Sequence, residues 1–289
     1  MDKEAFLVKA FTKDPNQGNP AGVILEAGDL SDKQMLQIAS KLGFSESAFV
    51  QALPQKSTFR VRFFTSKTEV PLCGHATIAA FHILVQEIQI NLAGQKEVKA
   101  NQVTQAGTLA VFCRQDGMMV MEQSAPKFYR PEPDKEVIAK LLNLNANHLL
   151  NYPLQSVSTG GVAKLMIPVD SLISLKSIKP DLAGIKNYRA HGDCRGFYPF
   201  TSQTMEAGSD FHARQFNPLI GIDEDPITGI AADALGCYVQ KYGLTDKDQL
   251  VIEQGYILGK GGKMYVNLRG GVKVGGYAVT FGKRKIPVS

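Results

Sequence analysis

The sequence predicts a mixed α/β (α+β) fold made of two similar halves, each with strands around one buried helix. Three observations predict it. A stretch occurs twice: Arg62-Phe63-Phe64 leads through a loop to Ile78-Ala79-Ala80, and Arg214-Gln215-Phe216 leads to Ile230-Ala231-Ala232, a shift of 152 in 289 residues. A shift near half the chain length is the mark of a duplicated unit. Residues 77–86 and 229–241 are apolar almost all round and rich in small residues. A helix with no polar face has to be buried on most sides. The remainder breaks into short β-rich runs separated by turn signals.

The elements follow in order. Residues 6–11, 22–25, 48–51 and 59–64 alternate or are β-rich and read as strands. Ser31 with Gln34 makes a capping box, Met35, Leu36, Ile38, Ala39 and Leu42 supply an apolar stripe, and Gly43 ends the helix. Residues 108–113 and 118–122 flank Asp116-Gly117, a strong hairpin signal. Residues 125–133 hold three prolines and read as the connection between halves, giving domains 1–124 and 125–289 with a last strand that can return to the first half. A polar helix is expected over 134–142. The glycines from Gly255 to Gly276 alternate with Tyr265, Val266 and Leu268 and read as hairpin punctuation.

Composition narrows the function. Hydrophobic residues make up 44% and charged residues 20%, as in a well-cored globular protein. The net charge of +5 is scattered, with no basic stripe and no Trp, so no nucleic-acid partner is expected. No run approaches the ~18 apolar residues of a membrane span, and no membrane association is expected. Cys73, Cys113, Cys194 and Cys237 form no C-x-x-C pair, which fits a reduced, cytoplasmic setting. The histidines show no metal-ligand spacing, and no P-loop or dinucleotide fingerprint is present, so neither metal nor cofactor is expected.

Candidate site residues cluster around the repeated stretch. Glu46 follows a helix stop and enters an apolar strand, where partial desolvation would raise its pKa toward that of a general acid/base; a loop Glu facing water is the plain alternative. Asp225 precedes Pro226 and reads as a helix N-cap, or as a second carboxylate at the site, aligned with Cys73 in the repeat. The amides of Gly74, His75 and Ala76, and those of Ile227, Thr228 and Gly229, would open the two buried helices. Such helix starts favour carboxylates or phosphates, so a small anionic substrate is expected. His75 could shuttle a proton or cap its helix. Cys73 at a helix start could be an activated thiol or an inert buried one. Asn19, in Gly18-Asn19-Pro20, could bond a substrate or serve its turn.

These blocks together resemble the PhzF-like family of phenazine-biosynthesis-type isomerases. The resemblance is carried by Gly18-Asn19-Pro20-Ala21, Ser45-Glu46-Ser47-Ala48-Phe49, Arg62-Phe63-Phe64-Thr65, Glu69-Val70-Pro71-Leu72-Cys73-Gly74-His75-Ala76-Thr77, and Arg214 through Glu224-Asp225-Pro226 to Thr228-Gly229. It implies a diaminopimelate epimerase-like fold, with two pseudo-symmetric domains, each a β-barrel-like roll around a central helix, and a site in the cleft. It implies Glu46 as the acid/base that moves a proton without cofactor, with His75 and Asp225 assisting, in a protein that is often a homodimer. One departure is marked: the family commonly has Ser where this chain has Ile230. Two other functions compete: an amino-acid epimerase or racemase using Cys73 with a carboxylate, and a non-catalytic small-molecule binding protein.

Overall fold

A computed structural model of the chain describes residues 2–132, 134–160 and 162–288. The chain divides into two compact units, Met1–Glu122 with Gly275–Ser289, and Gln123–Val274.

In the first unit the strands pair in the order Ala278–Pro287, Asp2–Ala10, Asn19–Ile24, Glu46–Ala52, Thr58–Phe64, Glu97–Thr104, Gly107–Arg114 and Met119–Glu122. Two of these pairings are parallel, Asn19–Ile24 with Glu46–Ala52 and Thr58–Phe64 with Glu97–Thr104. Parallel neighbours need a crossover, and each crossover here carries a helix. The first carries Asp32–Leu42, with the capping box of Ser31 and Gln34 formed and Gly43 left-handed at φ 72°. Its stripe of Met35, Ile38, Ala39 and Leu42 packs with Ile24, Phe49 and Phe64. The second carries Gly74–Gln86, buried at ten of its thirteen positions and packed against strands from both ends of the series. Gly18 sits at φ +85° in the turn before Asn19, and a Cβ there would lie 2.4 Å from Thr12 Cγ2, so only glycine fits.

The second unit repeats this plan. Gln155–Ser158, Ala163–Pro168 and Cys194–Thr201 pair in series, and Phe211–Ala213 joins Cys194–Thr201 to Gln249–Gln254, which pairs with Gly262–Asn267. Again two pairings are parallel, Ala163–Pro168 with Cys194–Thr201 and Phe211–Ala213 with Gln249–Gln254. Again the first crossover carries outer helices, Leu172–Ser177 and Leu182–Asn187, and the second carries the central helix Gly229–Lys241. Leu175, Ile178 and Ile185 join Leu165, Ile167, Phe197 and Phe216 in one core.

Two expectations need correction. Within the stretch expected as a connection, Lys127–Pro131 is a strand paired antiparallel with Gln155–Ser158. Proline lacks a donor but is tolerated at strand ends and edges, so prolines flanking a short run do not prevent pairing. The repeat also carries two offsets. Its strands match at 152, but both central helices are thirteen residues long and start at Gly74 and Gly229, an offset of 155 (229 less 74). The second loop is longer by three residues.

Candidate functional site

The two Arg-x-Phe strands build the same scaffold. Arg62 donates from Nε and Nη2 to the two carboxylate oxygens of Glu69 at 2.8 and 2.6 Å, and its guanidinium lies 5.0 Å from the Phe64 ring centre. Arg214 donates in the same way to Glu224, at 2.8 and 2.8 Å, and lies 4.8 Å from the Phe216 ring centre. A bidentate guanidinium–carboxylate pair fixes both partners in one plane. Each pair ties its strand to the segment that runs into the central helix.

In the first unit that helix begins beside a carboxylate, an imidazole and a thiol. Glu46 is the first residue of its strand, in register with Ala21. Its side chain is 15% exposed. Burial pushes its carboxyl above the ordinary 4.5, while a hydrogen bond from the Ser45 side chain works the other way. His75, in the first helical turn, is 7% exposed. Its Nε2 lies 3.5 Å from Glu46 Oε2 and its Nδ1 3.4 Å from Cys73 Sγ. Cys73 is the buried N-cap residue, and no side chain caps this helix. His75 is thus no cap; it links the carboxylate to the thiol. Gly74 and Ala76 are buried alongside it, and a Cβ at Gly74 would meet only Met121 Cε, at 3.4 Å. Asn19 is buried as the first residue of its strand, opposite Ala10. Donors from Glu46, Cys73 and His75 all lie within 4.8 Å of one another. This grouping joins a strand to a distant helix start, so no ligand spacing in the sequence signals it.

In the second unit Asp225 ends the strand Ile222–Asp225 and is not the helix N-cap; that residue is Thr228. Pro226 does not start the helix either. Asp225 instead holds the turn before it, accepting from Thr228 Oγ1 at 2.7 Å and from the Ile227 amide at 3.3 Å. Gln254 braces the same turn. Its Nε2 donates to the Asp225 carbonyl at 2.8 Å, while its Oε1 accepts from the Thr228 amide at 3.3 Å and the Tyr198 hydroxyl at 3.0 Å. The expected open row of amides is therefore engaged at Ile227 and Thr228. Gly229 is buried, and Ile230 is half-buried. At the helix offset Cys73 corresponds to Thr228, not Asp225, and His75 corresponds to Ile230.

Sequence reasoning missed Gln254 and Lys164. Lys164 is buried, donates to Asn217 Oδ1 at 2.8 Å, and is pushed down by burial to about 8. Its strand position in an apolar run was the one available signal. None of the four cysteines is in a disulfide. Among the described residues no helix is long and apolar enough to cross a membrane.

Two units, each with strands around one central helix, have the architecture of the diaminopimelate epimerase-like class of fold. The chain shares that fold with a hydroxyproline epimerase from Agrobacterium vitis bearing trans-4-hydroxy-L-proline (TM-score 0.60, 9% identity, covering 99% of this chain and 92% of the other). Within the class, the chain belongs to the phenazine biosynthesis-like (PhzC-PhzF) family, whose profile matches residues 8–284. It is 33% identical over 282 residues to the uncharacterized isomerase YfhB of Bacillus subtilis, covering 94% of each chain. It also matches the crystal structure of the Bacillus anthracis PhzF-family phenazine biosynthesis protein at TM-score 0.88 and 28% identity, covering 100% of both chains.

Proposed function

We propose that this protein moves a proton on a small carboxylic acid, with Glu46 as the general acid/base. The chain is an isomerase of the phenazine biosynthesis-like family. The observation that carries the mechanism is the Glu46 carboxyl, held above its ordinary value by burial and 3.5 Å from His75 Nε2. A base of raised pKa abstracts a weakly acidic C–H proton more readily, and in its protonated form returns it more readily. His75 orients the carboxylate and stabilises charge as the proton moves.

The start of the first central helix supplies the anion recognition. The four helices beginning at Asp32, Lys135, Leu172 and Leu182 are capped by Ser31, Asp134, Ser171 and Asp181 side chains. The two central helices receive no side-chain cap. Uncapped N–H groups at a helix start, with the helix dipole behind them, favour a carboxylate. Gly74 and Ala76 are assigned to substrate binding on this ground. Asn19, Thr228, Gly229, Ile230 and the assisting carboxylate Asp225 are assigned to it on the family resemblance.

The test is proton exchange. The pure protein is incubated in heavy water with pools of small carboxylic acids, and deuterium gain is read by mass spectrometry. Exchange that disappears in Glu46→Gln establishes the role; exchange at the wild-type rate in that variant refutes it. A second reading makes Cys73 the proton carrier, favoured by its 3.4 Å contact with His75 Nδ1. It predicts Cα exchange on an amino acid that Cys73→Ser abolishes and Glu46→Gln spares.

A further inference from the structure

We infer that Glu46, Cys73 and His75 form a binding site for a soft divalent cation, Zn²⁺ above others, at the start of the first central helix. The argument begins with the donor set. A thiol, an imidazole and a carboxylate are three of the usual zinc ligands, and the thiolate discriminates against Mg²⁺ and Ca²⁺, which take oxygen. One donor atom from each residue lies within 4.8 Å of the others. Zinc bond lengths at a tetrahedral angle place ligand atoms about 3.4–3.6 Å apart. Two of the spacings, 3.5 Å from His75 Nε2 to Glu46 Oε2 and 3.4 Å from His75 Nδ1 to Cys73 Sγ, already have that size. They run to different ring nitrogens, so coordination through either one asks the third donor to close by about an ångström.

The setting favours a bound ion. Cys73 and His75 are held at a buried helix start, and Glu46 at the head of a strand. Ligands on regular elements lose little freedom when they bind. Three protein ligands leave a fourth position for water or a carboxylate, the open pattern of reactive zinc sites rather than the closed pattern of structural ones. On binding, the Cys73 thiol gives its proton to solvent as the sulfur–metal bond forms. The functional consequence rests on the assignment of Glu46 as base: a carboxylate oxygen engaged by the cation no longer accepts a proton, so zinc switches the isomerase off.

The experiment uses the full chain, freed of metal with a chelator and then dialysed. Zn²⁺ is titrated calorimetrically, and Co²⁺ is used as the spectroscopic stand-in. Alkylation at each cysteine is mapped by peptide mass spectrometry with Zn²⁺, Mg²⁺ or no metal. The expected results are one equivalent of Zn²⁺ bound, a sulfur-to-cobalt charge-transfer band, and Cys73 alkylation slowed roughly tenfold or more by Zn²⁺ but not by Mg²⁺. Cys73→Ser should lose the band and about tenfold or more in affinity, while Cys194→Ser should keep both. Unchanged Cys73 alkylation under Zn²⁺, or a Co²⁺ spectrum without sulfur character, overturns the site, and both are read on the wild-type chain if a variant fails to fold. Heavy-water exchange separates the two readings. Zinc bound with exchange that survives in Glu46→Gln refutes Glu46 as base and leaves the metal site standing. Glu46-dependent exchange with no zinc bound does the reverse.

Discussion

The helices starting at Gly74 and Gly229 have the same length, the same crossover position and the same arginine–glutamate clamp before them, yet they carry different chemistry. At the first, the residue beside the opening glycine is His75, which touches both Glu46 and Cys73. At the second, the corresponding residue is Ile230, and the carboxylate nearby, Asp225, is taken up by its own turn. The two units thus share the clamp and the buried helix and differ in the residues beside them. The first start gathers a carboxylate, an imidazole and a thiol; the second is braced by its own turn.

The largest expected contrast is catalytic. Glu46→Gln should lower heavy-water exchange about 10²–10⁴-fold, the usual contribution of a general acid/base, and Asp225→Asn only about tenfold. Equal losses would break the asymmetry between the two starts. Next comes the clamp. Arg214 is 8% exposed and also donates to the carbonyls of Leu175 and Ile178, whereas Arg62 is 27% exposed and reaches the exposed Asp32. Removing one partner of a buried pair is strongly destabilising, and exposed pairs contribute little. Arg214→Ala should therefore cost about 3 kcal/mol and Arg62→Ala about 1 kcal/mol, read from denaturant midpoints.

Each unit also holds an ionisable group away from water whose proton affinity burial has shifted, Lys164 in the second and Glu46 in the first. The Lys164 amine is down at about 8, so the folded state holds its proton less tightly than the unfolded chain. Its stability penalty is complete below pH 8 and is relieved as pH rises toward 10.5. Lys164→Met should stabilise by roughly 1–2 kcal/mol at pH 7, with the gain shrinking by pH 10. Glu46 is raised, so its stabilising contribution exists below the ordinary 4.5 and is lost as pH rises through the folded value. Glu46→Gln should accordingly raise the melting temperature by about 1–3 °C at pH 7 and by less near pH 4. A variant less stable than wild type at pH 7 would show that Glu46 serves folding and not only reaction.

Much of this was legible locally. Ser31, Gln34 and Gly43 delimit a helix from chemistry within a few residues, and Asp116-Gly117 delimits a hairpin; Gly117 adopts φ 87° there. The two central helices announce themselves by having no polar side. The desolvation of the Glu46 carboxyl was legible because a carboxylate entering an apolar strand has few ways to stay in water. What depends on distant pairing was not legible. The 152 offset of the strands hid the 155 offset of the helices, so Asp225 took the place that belongs to Thr228. Gln254 reaches the Asp225 turn from a strand whose position follows only from the parallel pairing with Phe211–Ala213. Residues 125–133 looked like a linker because prolines report on single residues, while a strand is defined by its neighbour.

The pairing of Asp2–Ala10 with Ala278–Pro287 has a consequence for how the molecule is made. On a ribosome adding about 5–20 residues per second, the opening strand waits roughly 10–50 s for that partner. The strands of 123–274 meet one another earlier, since their partners lie within one continuous segment. The unit translated first is therefore the one completed last. During the delay its open edge presents Lys3 and Lys9, charges that discourage pairing with a stranger.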